Sequence, residues 1–251
     1  MLELNFNCMK YFTYLFLVFL IFTSCSKEDS CFSNSGDSVS KTLIMPTFDQ
    51  IDIPKGFVVE IMESDESKIE INSHENYLSN LDFQVLDNQL IMTNSMSCSM
   101  FHGYEIAKVR IYTPTLKKII SRTQLKVSSI GVLRFPELFV ITSIDDGASS
   151  MIDLQIDNNI LRIEDNQVGY FKISGKTIWL DVALYGGNGR VEAQKLDVYD
   201  CTFFQRSNND ILVKAENKLA GTIYATGNVI VFNKPNEVDV VEKYKGKLIY
   251  K

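Results

Sequence analysis

The stretch VEAQKLDVYDCTFFQRSNNDILVKAENKLAGTIYATGNVIV, residues 191–231, decides the fold. Short apolar segments alternate in it with polar turns at a nearly constant spacing. Three of these segments begin at Val191, Ile211 and Val229. Such a regular interval, with turn residues at matching phase, is typical of a solenoid, in which each coil buries its apolar stripe against its neighbours. We therefore predict a parallel β-helix-like solenoid with coils of about twenty residues.

The rest of the chain from residue 43 onward also has the character of β-strands. Segments such as Phe57–Ile61 and Val109–Tyr112 are short and either apolar or alternating with period two. No stretch keeps the spacing of an amphipathic helix, and only residues 75–81 suggest one short helical turn. The fold class is therefore all-β. A β-sandwich with irregular hairpins is the alternative, because short strands at regular spacing also suit that fold.

The N-terminus has the pattern of a bacterial lipoprotein signal. Lys10 precedes an apolar run over residues 11–22, and small residues separate this run from Cys25. The run is too short to cross a bilayer core of about 30 Å as a helix. We predict that residues 1–24 are a signal peptide, with Met9 as a second candidate start, and that Cys25 carries lipid such as palmitate. An ordinary signal peptide or an N-terminal membrane anchor is the alternative.

Three charged residues behind this cysteine resemble the export signal of Bacteroidota-type lipoproteins that are sent to the cell surface: Lys27, Glu28 and Asp29. Residues 25–42 are rich in small polar residues, which predicts a flexible tether. The folded body is predicted over residues 43–251, with a division into two sub-regions near residues 94–120. The expected location is the outer membrane, with the body facing the cell surface; the periplasmic face is the alternative.

Composition bears on several classes of function. The 251 residues carry a formal net charge of −6, which does not favour nucleic acid as a partner, because phosphates attract concentrated basic surfaces.

His74 and His102 have no acidic or cysteine partner at metal-ligand or triad spacing. Outside the signal region, no two cysteines have C-x-x-C spacing, so neither a metal nor another cofactor is expected. We expect free thiols at the three cysteines outside the signal region: Cys31, Cys98 and Cys201. A disulfide between Cys31 and Cys98 is the alternative.

Several segments resemble the auto-transporter adhesin head domain family, also called the GIN domain: Phe48–Ile53, Val109–Ile119, Ser207–Val213, Leu219–Ile223, Thr226–Val229 and Lys234–Pro235. The resemblance covers roughly residues 45–251. It implies a right-handed β-helix-like fold and a surface or envelope lipoprotein, and it implies no catalytic residues. The family's repeated Gly-Ser-Gly turn is replaced by residues such as Ser207-Asn208-Asn209, and asparagine also tolerates a left-handed backbone.

Four aromatic residues near successive turns form a candidate binding strip: Tyr170, Tyr185, Phe203 and Phe204. Rings at the edge of a solenoid can stack on sugars or contact protein. The alternative is that one ring of each neighbouring pair fills the interior. The irregular segment Asn94–Tyr104 is a second candidate contact surface.

We thus predict a non-enzymatic envelope lipoprotein that mediates adhesion or binds a glycan or protein and is joined to the membrane by its lipid. One alternative is a polysaccharide-active β-helix enzyme, which needs carboxylates on neighbouring coils. Asp145, Asp146 and Asp210 are available for that role, although aspartate in a turn usually serves its own backbone. A structural subunit of an envelope complex is the third possibility.

Overall fold

A computed structural model describes residues 35–95, 106–142 and 149–251 of the chain. The structure is nearly all β, with 2% helix, and forms a β-solenoid of about 6 turns with a spacing of ~21 residues. Within these ranges, seventeen strands belong to one continuous hydrogen-bonded sheet, and the helix is α1 (Glu75–Leu78). The all-β solenoid prediction is therefore confirmed, as is the short helical turn.

The strands, in chain order, are β1 (Ser38–Ile44), β2 (Gln50–Ile53), β3 (Phe57–Glu63), β4 (Lys68–His74), β5 (Leu81–Leu86), β6 (Gln89–Asn94), β7 (Ala107–Thr113), β8 (Lys118–Ser121), β9 (Lys126–Leu133), β10 (Glu137–Thr142), β11 (Met151–Asp165), β12 (Tyr170–Leu184), β13 (Arg190–Gln205), β14 (Ile211–Ile223), β15 (Val229–Val231), β16 (Glu237–Glu242) and β17 (Leu248–Tyr250). Strands β10 to β14 pair in parallel, each with the next, as stacked coils require. The hairpins of the β-sandwich alternative would pair consecutive strands antiparallel, and among these five strands the pairing is parallel throughout.

Each coil contributes to two sides of the solenoid, which we call side A and side B. The first half of β11 pairs with β9, and its second half pairs with β10, so the chain changes sides near Asn159. At the other end, β14 pairs with β15 through its first half and with β16 through its second. Side A therefore contains β9, β15 and the first halves of β11 to β14, and side B contains β10, β16 and the second halves.

The interior between the two sides is a continuous apolar core. One cluster of buried side chains runs from Met45 to Val231 and includes residues on both sides of the segment 94–120, where two sub-regions were predicted to divide. Inward positions of successive coils lie in register, as in the column Leu161, Leu180, Cys201 and Leu219. Buried and more exposed residues alternate along much of β11 and β12, because successive side chains of a strand point to opposite faces.

The N-terminal end of the described fold is closed by antiparallel strands. β1 pairs with β4, and β5 pairs with β6. Phe83 of β5 meets Phe57 edge to face, with ring centroids 6.1 Å apart. β1 begins at Ser38, so residues 38–42, which the sequence places in the tether, are part of a strand. Backbone pairing with β4 explains this, because the β1 side chains are mostly exposed and polar.

Polar side chains appear in the interior mainly where the coils turn. The buried Gln205 amide donates to the carbonyl of Asn209 at 2.7 Å, and its Oε1 accepts the N–H of Ser207 at 3.0 Å. Asp165 occupies the position two coils earlier and is also buried. Both side chains pair with backbone groups of the turn that follows them, as buried polar groups must.

Candidate functional site

Three aromatic rings from successive coils meet at the edge where side B ends. We call Tyr185, Phe204 and Tyr224 the aromatic edge. The ring centroids of Tyr185 and Phe204 are 5.7 Å apart, and those of Phe204 and Tyr224 are 4.9 Å apart, with tilted planes. Tyr185 is 43% exposed and Tyr224 is 44% exposed. The rings support one another and still present much of their surface to solvent.

The coil geometry explains why these rings come together. Phe204 is the last outward-facing residue of β13, and it pairs in register with Ala183 of β12 and Thr222 of β14. Tyr185 and Tyr224 follow the last residues of β12 and β14 directly, so they lie at the corner. Small side chains beside Phe204 leave room for both tyrosine rings to lean over the neighbouring coil.

The Tyr185 hydroxyl lies among acidic groups. Partial burial raises the pKa of Tyr185, and the negative charges of Glu164 and Asp181 together with a hydrogen bond to Glu164 raise it further. The Tyr185 hydroxyl therefore stays protonated at physiological pH and donates the hydrogen bond, which the carboxylate of Glu164 accepts. This bond ties the first ring of the aromatic edge to the preceding coil.

A row of amide and hydroxyl groups runs beside the aromatic edge along the turns. Asn208 donates from Nδ2 to Oδ1 of Asn188 at 3.3 Å, and Thr226 donates to Oδ1 of Asn208 at 3.0 Å. All three side chains are exposed or partly exposed. The edge thus combines ring faces with hydrogen-bonding groups, and both repeat once per coil.

The four residues of the predicted strip do not lie together. Tyr185 and Phe204 are neighbours, whereas Phe203 is buried in the interior with 5% of its surface exposed. Tyr170 lies on side A, where it pairs with Met151 and Arg190. Whether any of them binds a ligand stays a prediction. The sequence reasoning missed Tyr224, although this residue follows Phe204 by about one coil length.

Another aromatic group lies on side B. The guanidinium of Arg162 lies 5.6 Å from the ring centroid of Trp179, within the range of a cation–π contact. Trp179 donates from Nε1 to the hydroxyl of Thr202 at 3.1 Å, and that hydroxyl donates to Asp181 at 2.8 Å. The polar atoms of Trp179 and Thr202 are therefore engaged within the protein.

Tyr170 belongs to a charged network on side A. Its hydroxyl donates to Glu192 at 2.7 Å, and Arg190 donates to the same carboxylate at 2.9 Å. The hydrogen bond from Tyr170 is the chief cause that lowers the pKa of Glu192. Arg190 also lies 3.5 Å from Asp210, whose other oxygen accepts two hydrogen bonds from Asn228. Asp210, a carboxylate considered for catalysis, thus links its turn to the preceding and following coils.

Other predicted residues lie outside the described part of the chain: Cys25, Lys27, Glu28, Asp29, Cys31, Cys98, His102, Asp145 and Asp146, together with most of the segment Asn94–Tyr104. Among the described residues, Cys201 is a free, buried thiol, and burial raises its pKa. His74 lies beside Tyr77, with ring centroids 5.5 Å apart. No group of three or more His, Cys, Asp or Glu side chains in the described ranges has the arrangement of a metal site.

The described residues include no helix that is long and apolar enough to span a membrane. Two concavities, of about 420 and 410 Å³, lie in the N-terminal part of the described fold, the first beside β3 and β9 and the second beside β1, β4 and β7. Gly131 and Arg134 line the first, and Ser73 and Lys108 line the second. The residues of the aromatic edge line neither of these two concavities.

Comparison with solved structures shows the same fold in proteins from Bacteroidales. A putative adhesin from Bacteroides fragilis aligns with a TM-score of 0.78 at 18% identity, covering 86% of this chain and 97% of that one. A putative adhesin from Parabacteroides merdae aligns with a TM-score of 0.56 at 15% identity, covering 86% and 97%. A putative lipid binding protein from Parabacteroides distasonis aligns with a TM-score of 0.61 at 13% identity, covering 85% and 97%.

Sequence comparison identifies the family. No curated protein sequence matches the chain. The profile of the family described as putative auto-transporter adhesin, head GIN domain, matches residues 47–235, which is most of the described solenoid. An adhesin-like family suggests a binding role at the cell surface or envelope. This chain belongs to the GIN-domain family of putative auto-transporter adhesin heads.

Proposed function

We propose that this protein is a non-enzymatic adhesin of the outer membrane that binds a macromolecule through its aromatic edge. The observation that carries the proposal is the contact of three rings, two of them more than 40% exposed, on successive coils. Exposed tyrosines cost little conformational entropy on binding and are enriched where proteins recognise partners. A row of exposed rings on successive coils suits an extended macromolecule better than a small molecule, which usually binds in a concave pocket.

The surroundings of the edge support binding over catalysis. Cleavage of a glycosidic bond needs two carboxyl groups facing one another across the substrate. Near the edge, Glu164 accepts from Tyr185, and Asp181 accepts from Thr202. Asp210 is bound by Arg190 and Asn228. These described carboxylates hold the scaffold, which favours the binding role.

The proposed attachment relies on the N-terminal segment of the sequence. Cys25, at the end of the apolar run, would carry the lipid, and Lys27, Glu28 and Asp29 would direct export to the surface. The chain from Cys25 to the start of β1 at Ser38 reaches at most about 45 Å when fully extended. That length lets the solenoid stand clear of the bilayer.

Substituting all three edge residues with alanine is expected to weaken binding by about tenfold or more, because the variant removes the ring surface. Binding of the mature chain, with Cys25→Ser to keep it soluble, would be measured on glycan arrays and immobilised extracellular-matrix proteins. Tyr199→Ala is the matched control, since Tyr199 lies on the same coil as Phe204 but away from the aromatic edge and is 52% exposed. Thermal unfolding of each variant would verify that it is folded.

Three results would count against this function. Depolymerisation of any glycan by the wild-type chain would indicate the enzyme alternative. Equal binding by the triple alanine variant and the wild type would move the contact surface away from the aromatic edge. Blank arrays, together with crosslinking to one envelope protein in cells, would favour a structural subunit.

Cys25→Ser is expected to move the full-length protein from the membrane fraction to the soluble fraction and to abolish incorporation of labelled palmitate. In cells that express the wild type, external protease should remove the body without lysis. Protection until lysis would place the body on the periplasmic side. Membrane retention of the Cys25→Ser variant would contradict the lipid anchor itself.

A further inference from the structure

One column of exposed residues along the solenoid alternates aromatic rings and cations. Tyr185, Arg206, Tyr224 and Lys243 occupy the same position in four successive coils, directly after the last paired residue of side B. Each donates its backbone N–H to the coil before it, at 2.7–2.8 Å. All four side chains are exposed. We call these four residues the edge column.

The two cations of the edge column are available to a ligand. Neither the Arg206 guanidinium nor the Lys243 ammonium makes an ion pair within the described ranges of the chain. Lys247, in the next turn, instead pairs with Glu242 at 2.7 Å. Lys245 is a further exposed cation close by and lies 5.7 Å from the ring centroid of Tyr244. Positive charge therefore lies at Arg206, Lys243 and Lys245, whereas the carboxylates of Glu164 and Asp181 lie near Tyr185 at the other end of the edge column.

The distance between these two cations indicates how far apart the negative charges of a matching ligand would lie. Neighbouring strands of a sheet lie about 4.8 Å apart, so Arg206 and Lys243, two coils apart, are separated by about 10 Å along the axis. A ring lies before each cation. This repeat is comparable to the distance between every second sugar of an extended glycan. Rings can pack against the C–H faces of sugars, and the side chains of Asn188, Asn208 and Thr226 offer hydrogen bonds to hydroxyl groups.

We propose, resting on the adhesin function above, that the edge column binds an extended polysaccharide that carries one carboxylate on every second sugar and lies along the solenoid axis. Arginine and lysine are the natural partners of such carboxylates. Nucleic acid fits poorly, because a strand has a phosphate about every 3.4 Å, against one cation per about 10 Å here. The net charge of −6 would also repel so dense a polyanion.

The test uses the soluble mature chain and hyaluronan oligosaccharides, which carry one carboxylate per disaccharide. Arg206→Gln with Lys243→Gln should weaken their binding by about tenfold or more at low salt and remove most of its salt dependence. The matched control is Lys172→Gln with Lys195→Gln, which removes the same charge from exposed lysines on side A. The control should change binding by less than about twofold.

Other probes separate this inference from the proposed function. Carboxyl-reduced hyaluronan should bind at least about tenfold more weakly than hyaluronan, because it lacks the charge. Equal binding of the two polymers would overturn the inference and leave an adhesin for neutral glycans. Equal losses of hyaluronan binding in the two double variants would show only general charge attraction and would also overturn the inference. Binding of polyglutamate as tight as that of hyaluronan would do the same. If none of these probes binds, the inference fails, whereas the arrays still decide the proposed function.

Discussion

Replacing Gly175 with alanine is expected to lower the free energy of unfolding by about 2 to 5 kcal/mol. Gly175 has a φ of 106°, and a Cβ atom there would lie 2.0 Å from the carbonyl oxygen of Ile156 in the neighbouring coil. A left-handed backbone costs an L-residue about 1 to 2 kcal/mol. The overlap adds to this cost, because the backbone of a paired coil cannot rotate away as a side chain can. Urea unfolding followed by circular dichroism would measure the loss.

Gly131→Ala separates the two causes. Gly131 also has a positive φ, 73°, but apart from its two chain neighbours no atom of the described residues lies within 4 Å of the position that its Cβ would occupy. The expected loss is only the backbone cost of about 1 to 2 kcal/mol. Equal losses at Gly175 and Gly131 would show that the close approach of coils does not limit side-chain size. A larger loss at Gly175 would locate the difference in the contact with Ile156.

The turn glycines follow the same rule as Gly175. A Cβ atom on Gly187 would lie 2.0 Å from the carbonyl oxygen of Gln167, and one on Gly227 would lie 1.9 Å from that of Asn209. Successive turns therefore stack as closely as successive strands do. These glycines are therefore needed for the stacking of turns whether or not a ligand is present.

Much of the fold follows from the spacing of turns and apolar segments along the chain. The interval between Val191 and Ile211, taken from the sequence as one coil, is the register in which these two residues pair. Side chains alone could not predict the strand at residues 38–42. This segment is polar and mostly exposed, and only pairing of its backbone with β4 makes it a strand.

The candidate site depends on register more than on residue type. Phe203 and Phe204 are adjacent, and period two requires one to point inward, but the sequence does not say which one. Tyr170 and Tyr185 belong to one repeat, yet between them the chain passes from side A to the edge of side B. Aligning the repeats by coil would have placed Tyr224 and Arg206 beside Tyr185, since the spacing carries that signal.

Asp165 shows a different limit of sequence reasoning. Asp165 ends a strand directly before a polar turn, yet its side chain is only 1% exposed. Its carboxylate accepts hydrogen bonds from the hydroxyl of Thr142 and from the N–H groups of Gln167 and Gly169. Burial raises the pKa of Asp165 by more than these bonds lower it. The carboxylate thus organises the turn at an electrostatic cost.

Asp165→Asn should destabilise the protein most at acidic pH and less as the pH rises. Because folding raises the pKa of Asp165, the folded chain holds this proton more tightly than the unfolded chain. The stability from that proton is fully present below the ordinary carboxyl pKa of about 3.9 and is lost as the pH rises through the raised pKa. Asparagine lacks this titration. It also turns an N–H donor toward the N–H of Gln167, which costs about 1 to 3 kcal/mol.

Glu192→Gln provides the comparison with the opposite sign. The hydrogen bond from Tyr170, followed by the contacts with Arg190, lowers the pKa of Glu192, so its stabilisation is present above the ordinary carboxyl range and is lost at lower pH. Urea unfolding of the wild type and both variants across acidic to neutral pH would give the two differences in free energy. The difference for Asp165→Asn should shrink with rising pH, whereas that for Glu192→Gln should grow. A difference for Asp165→Asn that grew with pH would mean that the three hydrogen bonds outweigh burial, and that the ionised carboxylate stabilises the turn.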